Sequence, residues 1–233
     1  MYVNIFCVKF IPEMQQKAEG SPGEIVVRKT KQEAEETRKD LIDAARRVFH
    51  ECGVGRSTLE KIAKAAGVTR GAVYWHFKDK AELFFAMRED VFAPMVERTD
   101  ALLLSDQFAN PLDAVEASIT EFFRVLEDCS VVREVFEIMI SRCEYVDEFA
   151  SVEEEVGRPA QDFLTKIERV YRQAGDKGML RPGIDPLDAA RDTWAFTSGL
   201  LHLLLSCQRG SNLSQQVPAM IRVHMAMRRI AGA

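Results

Sequence analysis

Between Ser57 and Phe77 the chain reads "STLEKIAKAAGVTRGAVYWHF", and this stretch constrains the fold more than any other. Ser57 and Glu60 have the S-x-x-E spacing of a capping box, followed by an inner stripe of Leu59, Ile62, Ala63 and Ala66. Gly67 reads as a tight turn, and Thr69 as the cap of a further helix running to about Phe77. Helices this short are marginal alone in water, so they need a brace. Leu41, Ile42, Ala45, Val48 and Phe49 fall on one face of an earlier helix, expected from about Glu33 and closed by Gly53. The result is a three-helix helix-turn-helix.

The rest of the chain repeats this logic. Asp79 with Glu82 three residues on opens a longer helix with Leu83, Phe84, Met87, Val91 and Met95 inward, and Pro94 is expected to kink it or end it early. Asn110-Pro111 and Asp185-Pro186 each read as a cap followed by Pro at the first helical position. Further helices are expected over Val152 to Gln173, Pro186 to Ser206 and Leu213 to Ile230. No alternation of Val, Ile and Thr signals a sheet, so the fold class is all-α. The domains are expected as a leader at 1–27, a DNA-binding helix-turn-helix at 28–80 and a larger helical body at 81–233. The leader, ending in the turn-rich "EGSPGE", is expected to be disordered or to precede a translation start near Val26 or Val27.

Charge is divided between these parts. The whole chain carries −5, which by itself argues against a polyanionic partner. Residues 28–80, however, hold 13 Lys and Arg against 8 Asp and Glu, whereas 81–233 hold 16 against 25. A basic module on an acidic body fits a protein that faces nucleic acid with one end. There is no apolar run long enough to cross a bilayer, and no membrane partner or secretory signal is expected. The expected location is the cytoplasm. Five scattered cysteines read as small apolar residues in a reducing compartment. No metal-ligand spacing, phosphate loop or nucleophile–base arrangement is visible. The chain therefore reads as a non-enzyme with no cofactor and no metal. A helical dimer using the helix-turn-helix for protein contacts is the competing non-catalytic reading.

The helix opened by Thr69 carries the chemistry. With Val73 and Phe77 inward, ~100° per residue turns Gly71, Tyr74, Trp75 and Lys78 away from the core. Gly71, lacking Cβ, lets another backbone come close. Thr69 and the Tyr74 hydroxyl can donate to phosphate oxygens, and Arg70 can read a guanine edge or clamp a phosphate. Ser57 or Thr58 on one side and Lys80 on the other extend that surface.

The run "STLEKIAKAAGVTRGAVYWHFKDKAEL" closely resembles the DNA-binding signature of the TetR family of bacterial regulators, over about Arg38 to Met87. "VRKTKQEAEETR", "GAVYWHFKDKAEL" and "RCEYVDEF" are similar to the branch of multidrug-efflux repressors of the AcrR and TtgR kind. The resemblance implies an Ω-shaped, all-helical homodimer. It implies operator contacts at Ser57, Thr58, Thr69, Arg70, Gly71, Tyr74, Trp75, His76 and Lys80, on a pseudo-palindromic duplex. It also implies a cavity for a small hydrophobic or aromatic effector, with Met95, Phe122, Phe123, Phe136, Met139 and Phe163 as candidate lining and Glu137 as a candidate polar anchor.

Two half-sites require two copies of the module. Trp194, Leu200, Leu201 and Leu204 cover more than one face of a late helix and are the candidate dimerisation residues. The expected function is ligand-responsive repression of a multidrug efflux operon, with repression of a metabolic operon as the alternative.

Overall fold

The computed structural model describes residues 22–146, 149, 152–208 and 210–230. Among them nine helices follow in order: α1 (Pro22–Cys52), α2 (Leu59–Ala66), α3 (Arg70–His76), α4 (Lys80–Leu103), α5 (Pro111–Asp128), α6 (Ser130–Ser141), α7 (Val152–Asp176), α8 (Pro186–Ser206) and α9 (Asn212–Ala226). No strand occurs among the described residues, only an isolated antiparallel bridge between Leu180 and Arg229. No helix among them is long and apolar enough to cross a membrane. The expected all-α architecture therefore forms. The leader expected at 1–27 lies outside the described residues up to residue 21, but Pro22 to Val27 belong to α1. That helix begins well before Glu33 because neither Gly nor Pro interrupts the chain between Glu24 and Cys52.

The cap signals place most helix starts. Thr69 accepts from Ala72 N at 3.2 Å, Asp79 from Glu82 N at 2.8 Å, and Asn110 from Leu112 N at 3.0 Å. Asp185 accepts from Leu187 N and Asp188 N. One cap is off by a residue. Thr58, not Ser57, caps α2, accepting from Lys61 N at 3.2 Å. Ser57 instead closes the preceding turn: its N–H and its Oγ both donate to Val54 O, the latter at 2.6 Å.

α1, α2 and α3 pack as a module on the start of α4, around Leu41, Phe49, Ile62, Val73, Phe77 and Phe84. α4 then runs on into the body, where it packs along α5, and α7 packs along α8. Buried side chains continue from one part to the other without a break, so α4 belongs to both sides of the boundary expected at residue 80. Pro94 neither ends α4 nor prevents its continuation to Leu103. Pro159 lies inside α7 and leaves the carbonyl four residues earlier without a helical donor. That carbonyl, Glu155 O, receives Nη2 of buried Arg88 at 3.4 Å, which joins α4 to α7.

α1 and α6 hold the module against the body. Arg46 pairs with Glu134, His50 Nε2 donates to Glu137 at 2.8 Å, and Val54 N donates to Arg142 O at 2.9 Å. Cys52, Cys129 and Cys143 are half-buried against the core. Burial pushes the Cys143 thiol up to about 11, which makes it a packing residue with little thiolate character.

The last helix ends at Ala226 rather than near Ile230, because the chain beyond it is drawn into other bonds. Arg181 N donates to Arg228 O at 2.8 Å, and Arg229 pairs with Asp113 and Glu116 of α5 at 2.6 and 2.7 Å. Buried Arg228 pairs with Asp192 and donates to His224 O. Behind them Tyr171, Thr193 and His224 form a buried chain of hydrogen bonds, 2.7 Å between the hydroxyls and 3.1 Å from Thr193 Oγ1 to His224 Nε2. Burial, and secondarily the Arg228 charge, lowers the His224 pKa from 6.5 to about 4. Between those values the unfolded chain binds a proton that the folded chain refuses. Stability supported by neutral His224 is thus complete above about pH 6.5 and is lost as pH falls toward 4. Thermal unfolding followed across that window is expected to show a falling Tm, with the fall reduced in His224→Gln.

Candidate nucleic-acid interface and internal cavity

The turn between α2 and α3 follows from one glycine. Gly67 sits at φ 70, a conformation costly for other residues, and its N–H together with that of Val68 closes the end of α2 on Lys64 O and Ala63 O. Thr69 then starts α3 at once. Of the seven residues of α3 only Val73 is buried, and Phe77 at the C-cap is the second anchor. Burying each stabilises the module by roughly 1.5–3 kcal/mol. Arg38 of α1 lies 5.2 Å over the Phe77 ring and closes the α1 side.

The outward face carries Thr69, Arg70, Gly71, Tyr74 and Trp75, all exposed, Trp75 at 73%. Arg70 is arranged before any partner arrives. Its guanidinium lies 5.4 Å over the Tyr74 ring and donates to the Tyr74 hydroxyl at 3.3 Å. That bond raises the Arg70 pKa above its usual value. A Cβ on Gly71 meets nothing closer than Thr69 Oγ1 at 3.9 Å, so the bare backbone here serves no internal packing need. His76 is half-buried and its ring meets the Trp75 ring edge-on at 4.5 Å. Burial, then the Arg38 charge, lowers its pKa below the usual histidine value, which favours the neutral ring.

Two expected contact residues do not join this face. Ser57 is 3% exposed and its hydroxyl is committed to Val54 O. Lys80 is half-buried; its Nζ donates to Val54 O at 3.1 Å and Ser57 O at 3.4 Å, and lies 5.4 Å over the Phe149 ring. Both carbonyls belong to the turn before α2, and they draw the ammonium inward. Thr58 is exposed, although its hydroxyl also serves as the α2 cap.

Inside the body, α4 to α8 enclose a cavity of about 190 Å³. Met95, Phe122, Phe136, Met139 and Phe163 are among its lining residues. The Phe92 ring lies tilted 4.8 Å from Phe136, and Phe122 meets Phe136 edge-on at 5.5 Å, so one wall is aromatic. Phe123 is buried against its neighbours but is not part of the lining. Glu137 is not a lining residue either. One residue, or ~100°, beyond Phe136, it faces α1, where His50 holds it at 2.8 Å, and Arg133 of its own helix pairs with it at 3.0 Å. Sequence reading also missed the polar lining residues Thr99, Ser118, Thr197 and Ser198, since no pattern separates a hydroxyl facing a cavity from one facing solvent.

The expected dimerisation residues are used within the subunit. Trp194 and Leu201 line the cavity, and Leu200 and Leu204 are buried. Exposed apolar residues here include Ala195, Gly199 and Leu203 along α8, with Ala219, Val223 and Met227 along and just past α9. A helix apolar on several sides shows which side is internal only when its neighbours are in place.

Known proteins are similar to this chain in sequence and in fold. The family model described as "Bacterial regulatory proteins, tetR family" matches residues 41–87. The HTH-type transcriptional regulator TtgR of Pseudomonas putida is 32% identical over 208 residues, covering 89% of this chain and 99% of TtgR. The crystal structure of NalD, the secondary repressor of the MexAB-OprM multidrug efflux pump in Pseudomonas aeruginosa, superposes with a TM-score of 0.76 at 30% identity, over 86% of this chain and all of NalD. A SmeT–triclosan complex superposes with a TM-score of 0.74 at 34% identity, over 84% of this chain and 93% of SmeT.

Lys80→Ala separates support from contact. It is expected to lower Tm by several degrees, since the Val54 and Ser57 carbonyls lose a charged donor, with a loss of about 1–3 kcal/mol. An unchanged Tm in thermal unfolding excludes this bracing role.

Proposed function

Because the chain belongs to the TetR family of bacterial regulatory proteins, we propose that it represses a multidrug efflux operon by binding a pseudo-palindromic operator as a homodimer, and that a small hydrophobic ligand releases it. The observation that carries this reading is α3 itself, a helix that spends one residue on packing and presents Thr69, Arg70, Gly71, Tyr74 and Trp75 outward. Its N-terminus, capped by Thr69, has free N–H groups suited to a phosphate. Arg70 offers a planar donor fork to a base edge or phosphate, and its stack on Tyr74 means less freedom is lost on binding. Gly71 admits the sugar-phosphate wall. Thr58 and His76 flank the contact. The efflux assignment is supported by NalD and by SmeT, the repressor of the Stenotrophomonas maltophilia multidrug efflux pump SmeDEF.

Two copies are needed to read two half-sites. The exposed apolar face of α8 and α9, with Leu203, Val223 and Met227 at its centre, is the proposed twofold contact. Repression and release are both cytoplasmic events in this reading.

Release follows from α6. One face of this helix lines the cavity with Phe136, Met139 and Ile140; the other pairs through Glu134 and Glu137 with Arg46 and His50 of α1. Arg133 of the same helix donates to Leu204 O and to Cys207 O at the end of α8. A ligand that displaces α6 thereby shifts α1 and the spacing of the two α3 helices. It acts only through its differential affinity for the two states, ~1–3 kcal/mol of coupling in typical cases.

Gly71→Ala tests the operator reading cleanly. The new Cβ has room in the free protein and favours helix, so stability is expected to hold or rise by up to about 1 kcal/mol. Operator affinity is expected to fall at least tenfold, about 1.4 kcal/mol. Wild-type affinity is expected to drop steeply with salt. Salt-independent binding, or full operator affinity in Gly71→Ala, rejects the docking. Glu137→Gln is expected to leave ligand affinity unchanged while shrinking the ligand's effect on operator affinity several-fold, as read from operator titrations with and without ligand.

A further inference from the structure

The turn that leads into α2 is gripped by the body. Val54, 1% exposed, donates its N–H to Arg142 O at the end of α6 at 2.9 Å. Its carbonyl accepts the Ser57 N–H at 3.2 Å, the Ser57 hydroxyl at 2.6 Å and the Lys80 ammonium at 3.1 Å. The approach is close: a Cβ on Gly53, at φ 81, stands 3.6 Å from the same Arg142 O. Lys80 Nζ also reaches Ser57 O at 3.4 Å and lies 5.4 Å over the ring of Phe149. Phe149 belongs to the connection between α6 and α7. It is 3% exposed, and its ring meets Phe84 of α4 edge-on at 5.5 Å. The same connection is tied to the cavity wall, where the Tyr145 hydroxyl donates to Met139 O at 2.9 Å.

Apolar burial keeps α2 and α3 on the module but is non-directional, so it leaves their orientation loosely set. Hydrogen bonds and a cation held over a ring face are directional. Both kinds converge on the turn before α2, and the α6–α7 connection supplies them through Arg142 O and the Phe149 ring. α1 has its own ties to the body through Glu134 and Glu137. Those act on the bracing helix, whereas Lys80 acts on the pair of helices that reads DNA.

We propose that Phe149 is a positioning residue for operator recognition: it seats the Lys80 ammonium on the Val54 and Ser57 carbonyls, and thereby sets the spacing at which two copies present α3. This rests on the operator-binding reading above and adds to it the contact that selects half-site spacing. Without the ring, the ammonium loses one wall of its seat and the turn pivots about its remaining bonds. Each module then adjusts to its half-site separately, and the demand for one spacing relaxes.

The test uses the full-length protein and duplexes that wild type selects from random-sequence DNA, with one base pair added or removed between the half-sites. That change moves a half-site by ~3.4 Å along the axis and by about a tenth of a turn around it. Wild type is expected to bind the altered duplexes at least about tenfold more weakly than the selected one. Phe149→Leu keeps an apolar side chain against Phe84 but has no ring, and is expected to bring the duplexes within about threefold of each other. Lys80→Met keeps the stem and loses the charge; it is expected to relax the preference likewise, with the double variant no worse than either single one. Without DNA, amide hydrogen exchange in Phe149→Leu is expected to quicken at least about tenfold at Val54 and Ser57 and to stay within about twofold of wild type in α5 and α8.

A spacing preference that survives in Phe149→Leu overturns the proposal, as does a wild type indifferent to spacing. So does unchanged exchange at Val54 and Ser57, or exchange that quickens equally in α5 and α8, the mark of a residue that only stabilises. Wild type that selects no duplex at all refutes the operator reading instead, and the exchange measurement then still decides whether Phe149 holds the turn.

Discussion

A helix of seven residues makes too few internal hydrogen bonds to persist alone in water, and α3 persists because Val73 and Phe77 are sunk into the core that α1, α2 and α4 share. Everything the N-terminal module offers depends on that burial. With two anchors on one side, the rest of α3 is free of packing duties, and its Arg, Tyr, Trp and Gly are displayed at a fixed angle. The turn glycine, the Thr69 cap and the Lys80 ammonium on the Val54 and Ser57 carbonyls all serve to hold that angle. Arg70, stacked on Tyr74, adds local order on the surface itself.

The body is connected to this module by two helices that each have two tasks. α4 starts beneath α3, with Leu83 and Phe84 in the module core, and ends with Met95 and Thr99 on the cavity wall. α6 divides around its circumference, Phe136, Met139 and Ile140 toward the cavity, carboxylates toward α1. A change in cavity contents therefore meets elements already bonded to the module. Because packed interiors repack between discrete arrangements rather than stretch, small movements at these walls can be carried as rigid shifts. The third link, Arg88 on the carbonyl that Pro159 releases, ties α4 to α7 and completes one end of the enclosure.

Local signals were legible wherever a short-range bond decides the structure. Asp79, Asn110, Asp185 and Thr69 cap helices because a side-chain oxygen reaches an N–H two or three residues away, and no distant residue is needed. The same logic failed at Ser57 and Thr58, two adjacent hydroxyls that compete for one role. The winner was set by the turn at Val54, which draws in Ser57. The early start of α1 at Pro22 was hidden by the polar run from Arg28 to Asp40, which leaves no apolar face to count.

Caps, periodicity and one contiguous motif were enough for the all-α class, the helix-turn-helix, the exposed face of α3 and the family. Tertiary structure alone decided which ring faces a cavity and which is plain core, and it separated Phe122 from Phe123 and Met139 from Glu137. It also moved Trp194 and Leu201 from a supposed partner contact to the cavity wall and left Leu203, Val223 and Met227 outside. The physical reason is common to all of these. A helix periodicity tells which residues share a face, but what lies against that face depends on helices far away in the chain.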